Sequence, residues 1–260
     1  SLLKNYFTKD ELNGVDSLYT FKREKRCFEM AAQITTPSHD LKHQLINLFD
    51  LNPNKITVIP NVLDTSHFRP INNKEKKKFN ILHVGRFERA KGVETLVKAF
   101  IQVAKEFSDI TLINIGEPRG PSFKICQNLL IKNNLIDRVT FKGFVDYKSL
   151  PEFYSISDLV VAPSEIYESF SYTVAQGMAC GRPVIASKIG GIPQTLNNGL
   201  AGILFNPGEV DDLAEKIMSF YNKREYGISL GEKARKFAIN QFSIDALSKR
   251  YVEYYKSIKI

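Results

Sequence analysis

From residue 80 onward, short apolar runs alternate with longer stretches of helical period, the alternation expected of a parallel sheet wrapped by helices. Runs at 80–84, 111–115, 139–141, 159–162, 183–186 and 203–205 predict six strands. Between the first two, Val93, Leu96, Val97, Phe100, Ala104 and Phe107 recur on one helical face, in a segment that starts directly after Lys91-Gly92. Further helices are predicted over 121–134, 170–180, 210–222 and 225–240. Six strands so spaced make one α/β domain, a doubly wound parallel sheet.

The first 70 residues have a different texture. A charged helical stretch runs to Ala32, a short strand covers 33–36, and Ser38 is placed to cap a helix from about His39. Residues 55–61 read as an extended crossing, with Pro60 and Pro70 discouraging helix on either side. The expected division is therefore 1–54 as the tail of another domain, 55–78 as crossing and linker, 79–242 as the main domain, and 243–260 as a C-terminal helix. That last helix places Leu247, Tyr251, Tyr254, Tyr255 and Ile258 on one face, which needs a partner surface, expected to be the first domain. No internal repeat is present.

Composition narrows the class. A chain of 260 residues with 43% hydrophobic content can bury a full core and a second, partial one. Cys27, Cys126 and Cys180 are far apart and match no metal-ligand spacing, which points to a reduced compartment rather than a disulfide framework. No apolar run approaches the roughly 18 residues of a membrane span, and residues 1–5 lack the apolar stretch of a signal peptide. Ser1 stands where an initiator methionine would, so the chain is expected to be a fragment. A net charge of +8 favours anionic partners. Zinc-finger spacing and aromatic RNA-binding motifs are both missing, so nucleic acid is not expected among them. The densest basic run, 74–78, reads as a solvated linker.

Candidate chemistry falls at two strand-to-helix junctions. One reads His83-Val84-Gly85-Arg86-Phe87-Glu88-Arg89-Ala90-Lys91-Gly92; the other runs from Pro163-Ser164 through Glu168 to Gln176-Gly177-Met178-Ala179. Arg86 offers a planar fork and Lys91 a compact point charge. Glu168 precedes a predicted helix whose first N–H groups face whatever lies above the sheet. Two cations and a carboxylate suit a sugar diphosphate bound across the carboxyl ends of the strands, although solvated loop cations and an exposed capping Glu are the plainer reading of the same residues. Glu165 is expected to be surface. His39, His43, His67 and His83 do not cluster, and no Asp-x-Asp metal motif occurs.

Together with 56–64 (Ile-Thr-Val-Ile-Pro-Asn-Val-Leu-Asp), the segments Gly85-Arg86, Lys91-Gly92, Pro163-Ser164-x-x-x-Glu168, Gly177-Met178-Ala179-Cys180-Gly181-x-Pro183-Val184 and Gly190-Gly191-Ile192-Pro193 resemble, in order and spacing, the GT4 family of retaining glycosyltransferases. The resemblance covers nearly the whole chain. It implies the GT-B fold, two Rossmann-like domains facing across a cleft, of which this chain would hold the nucleotide-sugar donor domain and the tail of the acceptor domain. It also implies retaining transfer of a hexose from a UDP-sugar or GDP-sugar to an acceptor hydroxyl. Arg86 and Lys91 would bind the donor phosphates and Glu168 the sugar. Gly85, Phe144, Val145, Ser169, Phe170 and Ser171 would lie against the nucleotide, and position 176 against the ribose. No metal or other cofactor is expected. A saccharide or lipid-linked acceptor and a cytoplasmic location follow from the resemblance, and peripheral contact with an anionic membrane at its inner face would suit the basic charge.

The chain departs from the family pattern at three places. Gln176 replaces the second carboxylate, and its oxygen and NH2 can still bridge a diol without charge assistance, at a cost of about 1 kcal/mol of donor binding. Eight helical residues from Glu168 would span roughly 12 Å, a sugar-to-ribose length. Ser169-Phe170-Ser171 stands where Gly-Phe-Gly is common, and Gln194 where a Glu often follows. These departures keep open a catalytically impaired donor-domain fragment acting as a binding or scaffold subunit. A dinucleotide dehydrogenase is a further alternative but is not expected, since no Gly-x-Gly-x-x-Gly follows the first strand.

Overall fold

The computed structural model describes residues 15–71 and 78–258; most of the basic run 74–78 lies outside the described residues. The first unit is small. Helix α1 (Val15–Met30), strand β1 (Ile34–Thr36), helix α2 (His39–Phe49) and strand β2 (Ile56–Val58) enclose Ile34, Leu45, Phe49, Leu51 and Ile56, with the rings of Phe21 and Phe28 against Phe49. Ser38 caps α2 by accepting from the Leu41 N–H. The segment read as an extended crossing is in part a true strand: β2 pairs in parallel with β1, Ile34 opposite Ile56.

The second unit follows as β3 (Phe79–Val84), α3 (Val93–Glu106), β4 (Ile110–Ile115), α4 (Gly120–Lys132), β5 (Val139–Gly143), α5 (Leu150–Ile156), β6 (Leu159–Ala162), α6 (Tyr172–Ala179), β7 (Val184–Ser187), α7 (Ile192–Thr195), β8 (Ile203–Phe205), α8 (Val210–Asn222), α9 (Arg224–Phe242) and α10 (Ile244–Ser257). The six strands β3 to β8 form one parallel sheet in the order β5-β4-β3-β6-β7-β8. Buried on both faces, these strands read as unbroken apolar runs. One face packs Leu96, Val97, Phe100, Leu130, Leu213 and Ile217 against Ile81 and Leu112; the other packs Tyr154, Val174, Met178, Ala234 and Ala238 against Leu82 and Val160. The chain runs outward from β3 to β5, then returns to β6 on the other side of β3. The order therefore reverses between β3 and β6, and a crevice opens beyond their carboxyl ends.

The two units touch at several points. Leu63 N–H donates to the Phe242 carbonyl at 2.7 Å, and Arg250 on α10 donates to the Val58 carbonyl of β2 at 3.3 Å. Gln194 Oε1 also accepts from the backbone N–H of His39, in the first turn of α2, at 2.7 Å.

One side chain stitches the sheet to its helical layer. The C-terminal carbonyls of α3 have no intrahelical partners. Arg138 donates to Ala104 O at 2.8 Å, to Phe107 O at 2.5 Å and to Ile110 O at 3.0 and 2.8 Å, with its guanidinium also over the Phe100 ring. Arg138→Ala strands these half-buried acceptors and should lower unfolding stability by about 1–3 kcal/mol in urea titrations. Arg138→Lys should recover only part of the loss, because an ammonium cannot span the same fork.

Candidate active site

The turn leaving β3 is pressed onto the turn leaving β4. Gly85 N–H donates to Ile115 O at 2.9 Å, and Gly116 has φ of 144°, where an added Cβ would lie 1.9 Å from the Gly85 carbonyl oxygen. Above this contact opens a cavity of about 560 Å³ with an apolar floor of Val84, Ile115, Val145 and Leu150, and a polar rim that includes Arg86, Glu88, Glu117 and Arg119. Phe144 stands at its mouth, 87% exposed. Of the residues expected at the site, Gly85, Arg86, Phe144 and Val145 are thus gathered around one cavity. Arg86 is turned to solvent and pairs with Glu88 at 2.9 Å, while Arg119 pairs with Glu117 at 3.2 Å.

Lys91 and Glu168 form a second cluster. Lys91 ends the single turn Arg89–Lys91, stopped by Gly92 in the left-handed region at φ 68°. Only glycine fits there, since a Cβ would fall 1.7 Å from the Pro163 carbonyl oxygen. Glu165 N–H donates to Ala90 O at 2.9 Å, so the loops after β3 and β6 are joined backbone to backbone. Across that join Lys91 Nζ meets Glu168 Oε1 at 2.5 Å, and the buried Ser164 hydroxyl donates to the same oxygen at 2.7 Å. Both donors converge on Oε1, and Oε2 has no partner among the described residues. Glu165, expected at the surface, instead accepts from Thr95 Oγ1 at 2.5 Å and ties the first turn of α3 to this loop. Ser164 entered the sequence reading only as part of Pro163-Ser164-x-x-x-Glu168, with no role of its own, and Thr95 is an isolated hydroxyl that carries no spacing signal.

The stretch after Glu168 differs from expectation. Helix α6 begins at Tyr172 with Ser171 as its N-cap, so 168–171 is loop and the helical 12 Å spacing between Glu168 and Gln176 does not hold. The cause is packing. Gly191 N–H donates to Glu168 O at 2.7 Å, and a Cβ on Gly190 or Gly191 would fall 2.3 Å from Glu168 O or 2.1 Å from Ser169 O. The glycine pair therefore admits the 168–169 backbone and holds it out of the helix. Phe170 is buried, its ring edge-on to Tyr172 and Phe242, so only its backbone is free to face a ligand. Ser171 is buried and its hydroxyl makes no capping bond.

Gln176 is outside the cavity lining. It is 7% exposed, and its Oε1 accepts at 2.8 Å from the hydroxyl of Tyr154, a fully buried residue on α5. Neither α5 nor Tyr154 was predicted from sequence; Leu150 and Tyr154, four apart in so short a helix, give no clear period. Among the described residues no cluster of three or more His, Cys, Asp or Glu could hold a metal ion, and no helix is long and apolar enough to cross a membrane. The cysteines are free thiols.

His83 lies beneath the Gly85 turn, with Nδ1 3.1 Å from Val161 O and Nε2 unpartnered among the described residues. Burial, aided by the Lys91 charge, lowers its pKa from 6.5 to about 4 against the opposing bond to Val161. In the folded chain the ring stays neutral down to about pH 4, whereas the unfolded chain takes up a proton near pH 6.5. Stability from this group is therefore complete above pH 6.5 and is lost as pH falls to 4, by about 3 kcal/mol. Denaturation midpoints should drop across that window, and His83→Phe should flatten the drop.

With this geometry established, comparison with known proteins gives a consistent result. Residues 64–237 match the glycosyl transferases group 1 family, and residues 6–67 match glycosyltransferase family 4. Over 239 residues the chain is 29% identical to N-acetyl-alpha-D-glucosaminyl L-malate synthase of Bacillus anthracis, an alignment covering 88% of this chain and 61% of that protein. The chain thus spans about three fifths of the length of that relative. Among solved structures, sucrose-phosphate synthase from Thermosynechococcus elongatus superposes with a TM-score of 0.84 at 26% identity, covering 98% of this chain and 65% of that one. HepE of Anabaena, solved with UDP and glucose, superposes at 0.83 with 22% identity, covering 99% of this chain and 69% of that one, a likeness of fold alone.

Proposed function

The chain belongs to the group 1 glycosyl transferases, and we propose that it is the donor-binding part of an enzyme that transfers a hexose, with retention, from a nucleotide-diphosphate sugar to an acceptor hydroxyl. One observation carries the reading. At the point where the strand order reverses, the structure sets Arg86 on the rim of a 560 Å³ cavity and, on the loops joined beside it, Lys91 against Glu168.

In this reading the base enters the apolar cavity past Phe144 and the diphosphate lies toward Arg86 and Lys91. The ribose lies between them, near the start of α6. As the bond from the sugar to the β-phosphate breaks, negative charge grows on the departing nucleoside diphosphate. Cations held beside that charge stabilise it, Lys91 from a position mostly withdrawn from water and Arg86 from the solvated rim, so the chain's own cations carry this task and no metal is assigned to it. Glu168, with Oε1 fixed by Lys91 and Ser164, offers Oε2 to hydroxyls of the sugar. The acceptor hydroxyl attacks the face from which the nucleotide leaves, and its proton passes to the departing phosphate. A saccharide or lipid-linked acceptor and a UDP- or GDP-sugar donor complete the proposal. A scaffold role is not favoured, because Arg86, Lys91 and Glu168 are all present and positioned.

The test is calorimetric titration with UDP, GDP and their sugars. Arg86→Ala and Lys91→Ala should each weaken binding of the preferred nucleotide at least about tenfold, the weight of a charged hydrogen bond, with circular dichroism unchanged. If no nucleotide binds, the donor-domain reading fails.

A further inference from the structure

We propose that this chain carries a second binding site, at the amino-terminal end of its sheet, for a small organic phosphate held by the guanidinium of Arg182. The site is remote from the donor crevice, and it stands whether or not the donor reading does.

A cavity of about 350 Å³ opens there. Phe79 begins β3, Asp158 precedes β6 and Pro183 precedes β7, so one wall is formed where three strands enter the sheet, opposite the end where the loops after β3 and β6 meet. Phe220 on α8 and Ile228 on α9 close the other side. Three arginines line the cavity, Arg182, Arg224 and Arg235, against two carboxylates, Asp158 and Glu232. Positive charge is therefore in excess between aromatic and proline walls.

The three arginines are engaged to different degrees. Arg235 donates to the carbonyls of Ala179 and Phe68, the first of them a terminal acceptor of α6. Arg224 reaches Asp109 through one contact of 3.3 Å and lies over the rings of Phe79 and Tyr221. Arg182 has no such outlet. Its side chain makes no hydrogen bond or ion pair among the described residues, and its Nε is buried without a partner. Burial lowers its pKa, with the charge of Asp158 opposing. A charge withdrawn from water is costly unless it is paired and hydrogen-bonded, so a guanidinium in this state calls for an anion. Its backbone is also held in place. Arg182 N–H donates to Gly177 O at 2.9 Å, and α9 crosses so closely that a Cβ on Gly231 would lie 2.3 Å from the Gly181 carbonyl oxygen.

Oxygen count selects the anion. A carboxylate has two oxygens, and one guanidinium fork occupies both. A phosphate monoester has three terminal oxygens, enough for the Arg182 fork and for the loosely held Arg224 on the same cavity. The volume falls within the roughly 300–1,000 Å³ of small-molecule sites and exceeds what a bare phosphate fills. Phe79, Pro183 and Phe220 offer the remaining space to a carbon body, and the exposed Glu232 can accept from its hydroxyls.

The test is calorimetric titration of the 260-residue chain with glucose 6-phosphate and glycerol 3-phosphate, beside inorganic phosphate and glucose. At least one organic phosphate should bind at one site per chain, about tenfold or more tighter than inorganic phosphate or glucose. Arg182→Gln should weaken that binding at least about tenfold, the weight of a charged hydrogen bond. Its urea midpoint should stay at or above the wild-type value, because an unpaired buried charge has been removed. Arg224→Gln, at a half-exposed position, should weaken binding about threefold. Arg86→Ala and Lys91→Ala should leave it unchanged, which separates this site from the donor crevice. The proposal is overturned by absence of binding by both organic phosphates, by equal affinity for inorganic phosphate or glucose, or by unchanged affinity in either Arg182→Gln or Arg224→Gln. A fallen urea midpoint in Arg182→Gln, or binding lost in Arg86→Ala or Lys91→Ala, overturns it as well. The nucleotide titrations decide the donor reading separately.

Discussion

Gly92 holds its left-handed turn directly against the Pro163 carbonyl, and the rest of the site is built on that contact. Parallel strands release their chains at the same end of the sheet, and where their order reverses the two departing loops diverge to leave a crevice. For side chains on both loops to act on one ligand, the loops must first be brought into register. Here the backbones do it: Gly92 under Pro163 O, and Glu165 N–H on Ala90 O. The Lys91 to Glu168 pair is then a consequence, since each residue lies one to three positions from a backbone anchor. The same device recurs at Gly116 over Gly85 and at Gly190-Gly191 against Glu168 and Ser169. Glycine at these points is a requirement of close approach.

A second regularity concerns charge. Arg86 leans on Glu88 and Lys91 on Glu168, so both cations are paired. The two pairs differ in kind. Arg86 is largely solvated, and an exposed pair of this sort is weak and exchanges readily. Lys91 is mostly withdrawn from water and shares its carboxylate oxygen with Ser164, an arrangement that fixes the geometry of Glu168 as much as it neutralises charge. The loops after β3 and β6 thus carry the more rigid pair, and the rim of the cavity the more solvated one.

Most of the architecture was legible in the chain. Strands of a parallel sheet covered on both faces must be apolar throughout, so all six appear as runs, each within one or two residues of its place in the fold. Helix α3 is legible for a related reason, because its apolar face repeats over four turns. Shorter elements were not. Helix α5 has seven residues beginning Leu150-Pro151, too few for a period to emerge, and β2 looked like a crossing because three residues do not announce a partner. The start of α6 was misplaced by two residues. Local propensity lets 170 and 171 join the helix, and it is the distant Gly190-Gly191 that prevents it.

Residue types and spacing alone identified the α/β class and singled out the two junction loops with Arg86, Lys91 and Glu168 as candidates, because each depends on local order along the chain. Other properties depend on atoms far apart in sequence. That Glu168 spends one oxygen on Lys91 and Ser164 and keeps the other, that Glu165 anchors a helix through Thr95, and that Phe170 belongs to the core are decided by contacts across as many as 77 positions. Gln176 shows the distinction most plainly. Its sequence position says only that an amide stands eight residues after Glu168; the folded packing of α5 against α6 is what brings Tyr154 to its oxygen. Hydrogen-bond polarity at that point is a property of the pair, and no single residue in the chain encodes it.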